Sequence, residues 1–132
     1  MAAILLVEDV DIVRSVLRRF LESVGHEVTE CASGDEAGRI AGRAKFDLVI
    51  TDLWMKNGNG VDFIRAQSAY GRALPTIAMT SGDPNVTRSE SVEAALRAGA
   101  QRVLIKPVTK KYLLQAVDSV LGQNVGSAEN AA

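Results

Sequence analysis

Five short runs rich in strand-forming residues, each followed by a longer segment of helical periodicity, constrain this chain more than anything else in it. The runs are Ile4-Leu5-Leu6-Val7, Glu27 to Cys31, Leu48-Val49-Ile50-Thr51, Thr76-Ile77-Ala78-Met79 and Arg102-Val103-Leu104-Ile105. Most are apolar at consecutive positions rather than alternate ones, the pattern of strands covered on both faces. The Glu27–Cys31 run is more polar and is expected nearer a sheet edge. Strict alternation of strand and helix predicts one α/β domain: a doubly wound five-stranded parallel sheet with five helices. Right-handed crossovers then bring the C-terminal ends of all five strands to one edge, where such folds carry their sites.

The helical segments have readable limits. Asp11 is placed to cap the first, whose residues Ile12, Val13, Val16, Leu17, Phe20, Leu21 and Val24 fall on one face, with Gly25 to stop it. Ser33-Gly34-Asp35-Glu36 has capping-box spacing, and Gly38 and Gly42 predict a short second helix. Residues 56–60 read as a loop. A third helix is expected from Val61 to about Tyr70, and a fourth from around Ser89 to Ala98 before Gly99. Thr109 can cap a fifth that buries Leu113, Leu114, Val117, Val120 and Leu121 and stops at Gly122. Residues 1–122 form the expected domain, and 123–132 a disordered C-terminal tail.

Composition narrows the function classes. With 132 residues, 47% hydrophobic, the chain is long enough for its own core without staples. A net charge of −1 offers no basic footprint for nucleic acid. One cysteine and one histidine leave few materials for a zinc site or a Cys/His pair. The apolar start runs straight into Glu8-Asp9 without a basic region, so it does not read as a signal peptide, and no apolar run has membrane-spanning length. A cytoplasmic setting is expected.

Chemistry-bearing residues stand where the strands end. The first strand delivers Glu8 and Asp9, the third Asp52, the fourth Thr80 and Ser81, the fifth Lys106. Carboxylates brought together cannot all stay ionised cheaply without a cation. Oxygen ligands of this kind suit Mg²⁺. Lys106 adds a positive point charge for a phosphoryl oxygen, and Thr80 a hydroxyl donor. The set suits a carboxylate nucleophile, an incoming phosphoryl group and a neutralising metal.

In these features the chain resembles a response-regulator receiver domain of two-component signalling over roughly residues 2 to 121. The matching stretches are Val7-Glu8-Asp9, Thr51-Asp52-Leu53-Trp54-Met55 with Gly60 downstream, Met79-Thr80-Ser81-Gly82, Ala98-Gly99-Ala100 and Lys106-Pro107. The resemblance implies a phosphoacceptor module rather than an enzyme acting on other substrates. Asp52 would be phosphorylated by a partner histidine kinase or phosphotransfer protein. Glu8, Asp9, Asp52 and the Trp54 backbone carbonyl would hold Mg²⁺. Thr80 and Lys106 would bind the phosphoryl oxygens, and the Lys106–Pro107 bond would be cis. Output would pass through the face of the fourth helix, fifth strand and fifth helix, near Arg97, Arg102, Lys110 and Lys111, to a protein or domain the sequence does not name. Neither direct nucleic-acid contact nor a membrane is implied.

Four departures accompany the resemblance. Lys56 stands where the family usually has proline, Val103 where it has the aromatic that reports phosphorylation, and Val108 where phenylalanine is common. The stretch from Thr80 to Lys106 is longer by about one helical turn. Val103 and Lys56 lend weight to an alternative, a receiver-like scaffold that works without phosphorylation. An aspartyl-phosphate hydrolase would need a second acid where Trp54 stands. His26, Cys31 and Ser81 read as structural, and Gly58-Asn59-Gly60 lacks the spacing of a nucleotide loop.

Overall fold

The computed structural model describes residues 1–56, 59–69, 74–81 and 87–130, with backbone alone at 68–69 and 123–130. Chain order is β1 (Ala3–Val7), α1 (Asp11–Glu22), β2 (Glu27–Cys31), α2 (Gly34–Ala41), β3 (Leu48–Asp52), α3 (Gly60–Ala69), β4 (Thr76–Thr80), α4 (Arg88–Ala98), β5 (Arg102–Ile105) and α5 (Lys110–Asn130). All strands are parallel, in the order β2-β1-β3-β4-β5. This is the doubly wound order of flavodoxin-like folds, with β2 and β5 at the edges. Gly58, Tyr70, Gly82 and residues 131–132, which the sequence reading assigned, lie outside the described residues.

Period-two geometry divides the core into two layers. Leu5, Val7, Val49 and Ala78 point to one side, where Ala37, Phe63, Ile64, Ala95 and Ala98 of α2, α3 and α4 cover them. Ile4, Leu6, Leu48, Ile50, Ile77 and Met79 point to the other, against Leu17 and Leu21 of α1 and Leu113, Val117 and Val120 of α5. Each such Leu, Ile or Val contributes roughly 1.5–3 kcal/mol by leaving water. Consecutive apolar residues in β1, β3 and β4 are therefore required by both layers at once.

Caps account for several helix starts. The Ser33 hydroxyl accepts the Glu36 N–H, and the Thr109 hydroxyl accepts the Tyr112 N–H, as expected. Thr87 and Glu90 form a reciprocal capping box at α4, which starts at Arg88, one residue before the sequence placed it. The Asn59 Oδ1 accepts the Val61 N–H at 2.6 Å, so a residue read as loop opens α3.

Three expectations need correction. Asp11 is not the cap of α1. Val10 holds that position without a side-chain bond, and Asp11 is the first helical residue, paired with Arg14 at 2.8 Å. The turn is held instead by Glu8, whose carboxylate accepts the Val10 N–H and whose carbonyl accepts from the Arg14 guanidinium. The apolar face of α1 is also wider than the stripe that meets the sheet. Leu17 and Leu21 are buried, whereas Ile12 is 74% exposed and Val16 and Val24 are exposed too. Finally, Gly122 does not stop α5, which continues to Asn130. One glycine costs a helix only about 1 kcal/mol, and no proline follows it. Among the described side chains of α5, Val120 is the last that is fully buried, with Leu121 packed partly against the same core.

Candidate functional site

Strand register sets the site. Val7 pairs with Thr51, so Glu8 arrives beside Asp52, the last residue of β3. Asp52 pairs with Met79, which puts Thr80 one step further along β4, and Thr80 pairs with Ile105, the residue before Lys106. The Lys106 N–H donates to the Thr80 carbonyl at 2.9 Å. The Lys106–Pro107 peptide is cis, as the resemblance implied. Four strands thus bring Glu8, Asp9, Asp52, Thr80 and Lys106 to one edge.

Three of these form an acidic cluster. One carboxylate oxygen from each of Glu8, Asp9 and Asp52 lies within 4.8 Å of the others. Glu8 is fully buried, Asp52 is 6% exposed, and Asp9 is half-buried. The Lys106 ammonium lies 2.6 Å from Glu8 Oε1 and 3.2 Å from Asp52 Oδ2. Among the described residues, the Lys106 ammonium thus pairs with two of the three clustered carboxylates.

That imbalance appears in the acidity of Asp52. Burial first, and repulsion from Glu8 second, push its carboxyl up from 3.8 to about 6. The Lys106 contact and the Leu53 N–H offset only part of this. Burial works against the charged form of Lys106, yet its pairing with Glu8 and Asp52 wins and holds its pKa above the ordinary value. Lys106 is therefore an ammonium at neutral pH. A site of oxygen donors with uncompensated negative charge fits a hard divalent cation.

The loop after β3 is tied to its surroundings. The Lys56 N–H donates to Asp9 Oδ2 at 3.1 Å. Trp54 is half-buried, and its indole N–H donates to the Oγ of Ser91, a fully buried residue of α4, at 3.0 Å. Gly60 explains why α3 can start so close to the site. A Cβ there would lie 2.1 Å from the Asp52 carbonyl oxygen and 2.9 Å from Leu53 Cα. The sequence pointed to Gly60 only as part of a motif. It carried no sign of the Lys56 or Trp54 bonds, which depend on how two remote segments meet.

Two other polar candidates stay away from this edge. His26 Nδ1 accepts the Ala2 N–H at 3.0 Å, at the start of β2. Cys31 is buried in the core, and burial above all pushes its thiol up to about 12. Ser81, at the end of β4, and Lys106 line an apolar groove of about 440 Å³ with Ile12, Val13, Val16 and Pro107.

Comparison with known proteins gives a consistent result. Residues 4–118 match the model of the response regulator receiver domain. The chain is 30% identical over 118 residues to the transcriptional regulatory protein ResD of Bacillus subtilis, covering 89% of this chain and 47% of that one. It is 32% identical to protein PilH of Pseudomonas aeruginosa, covering 92% and 98%. Among solved structures, the receiver domain of the sensor histidine kinase PA1611 from Pseudomonas aeruginosa superposes with a TM-score of 0.80 at 31% identity, over 92% of this chain and 98% of that one. That structure has a magnesium ion coordinated in its active-site cleft. The chain spans less than half the length of ResD and about a quarter of several other regulators it matches.

Proposed function

This chain belongs to the response-regulator receiver domain family, and from that membership we propose that Asp52 accepts a phosphoryl group from a partner histidine kinase or phosphotransfer protein in a Mg²⁺-dependent reaction. The observation that carries the reading is the buried meeting of Glu8, Asp9 and Asp52 with Lys106. Glu8, Asp9, Asp52 and the Trp54 carbonyl would hold the ion. Bound there, Mg²⁺ supplies positive charge against the phosphoryl oxygens and the acidic cluster.

Asp52 must be ionised to attack. With its pKa near 6 in the metal-free chain it is mostly carboxylate at pH 7.5, and a nearby cation lowers the pKa further. One carboxylate oxygen forms a bond to phosphorus as the bond from phosphorus to the donor histidine breaks. Lys106 then pairs with a phosphoryl oxygen, and the Thr80 hydroxyl donates to another. The product adds negative charge at the ends of β3, β4 and β5, which biases a two-state equilibrium.

The exposed surface supports two contacts. The donor must reach Asp52 from the open edge, where Ile12 and Val16 of α1 border an apolar groove that includes Lys106. Large apolar residues are also exposed on α4 (Leu96), β5 (Ile105) and α5 (Tyr112), beside Arg97, Arg102, Lys110 and Lys111. This mixed face is the proposed output surface. Val103 is partly buried against the α2/α3/α4 layer and, being valine, has no aromatic ring to act as the reporter.

Intact-mass measurement after incubation with Mg²⁺ and a small acyl-phosphate donor tests the reading. One phosphoryl adduct is expected, absent without Mg²⁺ and absent in Asp52→Ala. No adduct in the wild type, or one that survives in the variant, refutes it. A phosphorylation-independent scaffold predicts no adduct at all.

A further inference from the structure

The residue after Met55 is Lys56. Proline has no N–H to donate. Lys56 has one, and it donates to Asp9 Oδ2 at 3.1 Å across a separation of 47 residues. A proline at this position could not make the bond. It joins the loop after β1 to the loop after β3, the two segments that supply Asp9 and the Trp54 carbonyl.

Its bearing on the cation follows from the geometry of the other acids. Glu8 is held by the Lys106 ammonium on one oxygen and by the Val10 N–H on the other. Asp52 is held by the Lys106 ammonium at 3.2 Å. Asp9 is the most exposed of the three, and the Lys56 N–H is its tether. A carboxylate has about four lone-pair directions on two oxygens, so one N–H leaves Oδ1 free for a metal. Partners of this kind orient the ligands they touch, and losing one typically costs about 10–100-fold in metal affinity.

We propose that Lys56 is a positioning residue for Mg²⁺, its backbone N–H holding Asp9 in the orientation that receives the ion. The proposal rests on the reading of Glu8, Asp9 and Asp52 as the metal site. The exposed ammonium of the same residue acts the other way, since a nearby cation repels an incoming dication. Two opposed contributions thus come from one residue, and substitution separates them. Lys56→Ala removes the ammonium and keeps the N–H. Lys56→Pro removes both.

Mg²⁺ alone is titrated into the full chain, followed by calorimetry and by emission of Trp54, the single tryptophan. Lys56→Ala is expected to bind at least as tightly as the wild type, and Lys56→Pro about 10-fold more weakly than Lys56→Ala. Hydrogen exchange supplies a second measurement that needs no proline variant. The Lys56 amide should be protected in the wild type with and without Mg²⁺, and should lose protection in Asp9→Ala. Equal affinities for Lys56→Pro and Lys56→Ala overturn the proposal, as does an unprotected Lys56 amide in the wild type. A wild type that binds no Mg²⁺ overturns the metal site itself and this proposal with it, an outcome distinct from the other two.

Discussion

Replacing Asp52 by Asn should make the metal-free protein more stable at neutral pH. Asn keeps the shape of the side chain and removes a charge that is 6% exposed and faces Glu8. The rise of the Asp52 carboxyl from 3.8 to about 6 measures how strongly the fold disfavours that charge, the Lys106 contact included. At about 1.36 kcal/mol per pH unit, it corresponds to ~3 kcal/mol. An acid whose pKa is higher folded than unfolded binds more protons when folded. Its stabilising contribution is complete below about pH 4 and is lost as the pH climbs to about 6. Urea denaturation of the metal-free chains at pH 7.5 should place the Asn variant ~2–3 kcal/mol above the wild type, about 1 M or more in midpoint. The gap should close as the pH falls toward 4. Mg²⁺ should close it from the other side, because an ion at 100 times its dissociation constant adds about 2.7 kcal/mol to a fold that binds it. A variant no more stable than the wild type at pH 7.5 without metal would refute the claim that Asp52 is an electrostatically costly residue.

Gly60→Ala should destabilise the chain by several kcal/mol, because its Cβ meets backbone of Asp52 and Leu53; Gly38→Ala, where a Cβ meets open space, should stabilise α2 by ~0.5–1 kcal/mol, and thermal melts compare the two. His26 acts opposite to Asp52 in pH dependence. Burial and the N-terminal charge lower its pKa against a smaller opposing effect of Asp118, so its contribution is complete above about pH 6.5 and should be lost as the pH falls below it, and a His26→Gln variant should flatten that arm of the stability profile. Cys31, buried and with its thiol raised to about 12, should resist maleimide in the native chain and react fully in urea, as timed mass spectra would record.

The sheet was legible because its demands are local and repeated. A strand covered on both faces needs consecutive apolar residues, and Ile4 to Val7, Leu48 to Ile50 and Ile77 to Met79 supply them. Once parallel strands were expected, the ends carrying Glu8, Asp52, Thr80 and Lys106 followed from topology rather than from any contact. Less legible was whatever depends on distances across the sheet. Ile12 and Val16 share a helical face with Leu17 and Leu21, yet only part of that arc meets the sheet, and periodicity cannot say how wide the contact is. The Asp11 misreading has a similar origin, since the turn is held by Glu8 at a range no capping pattern records. Hydrogen bonds from Lys56 to Asp9 and from Trp54 to Ser91 join segments 47 and 37 residues apart, and no single-sequence signal marks either.

The ion pair of Glu8 and Lys106 spans 98 residues. A ribosome adding roughly 5–20 residues per second makes the acid on the order of 5–20 s before its partner. Glu8, and then Asp52 once it is made, exist without their ammonium until Lys106 is added, and no shorter chain holds this cluster of charges. The cluster is therefore complete only when β5 joins the sheet. As an edge strand, β5 is paired only to β4, so its detachment takes Lys106 from both acids at once. Glu8, Asp52 and Lys106 therefore meet only while the edge strand β5 stays in place.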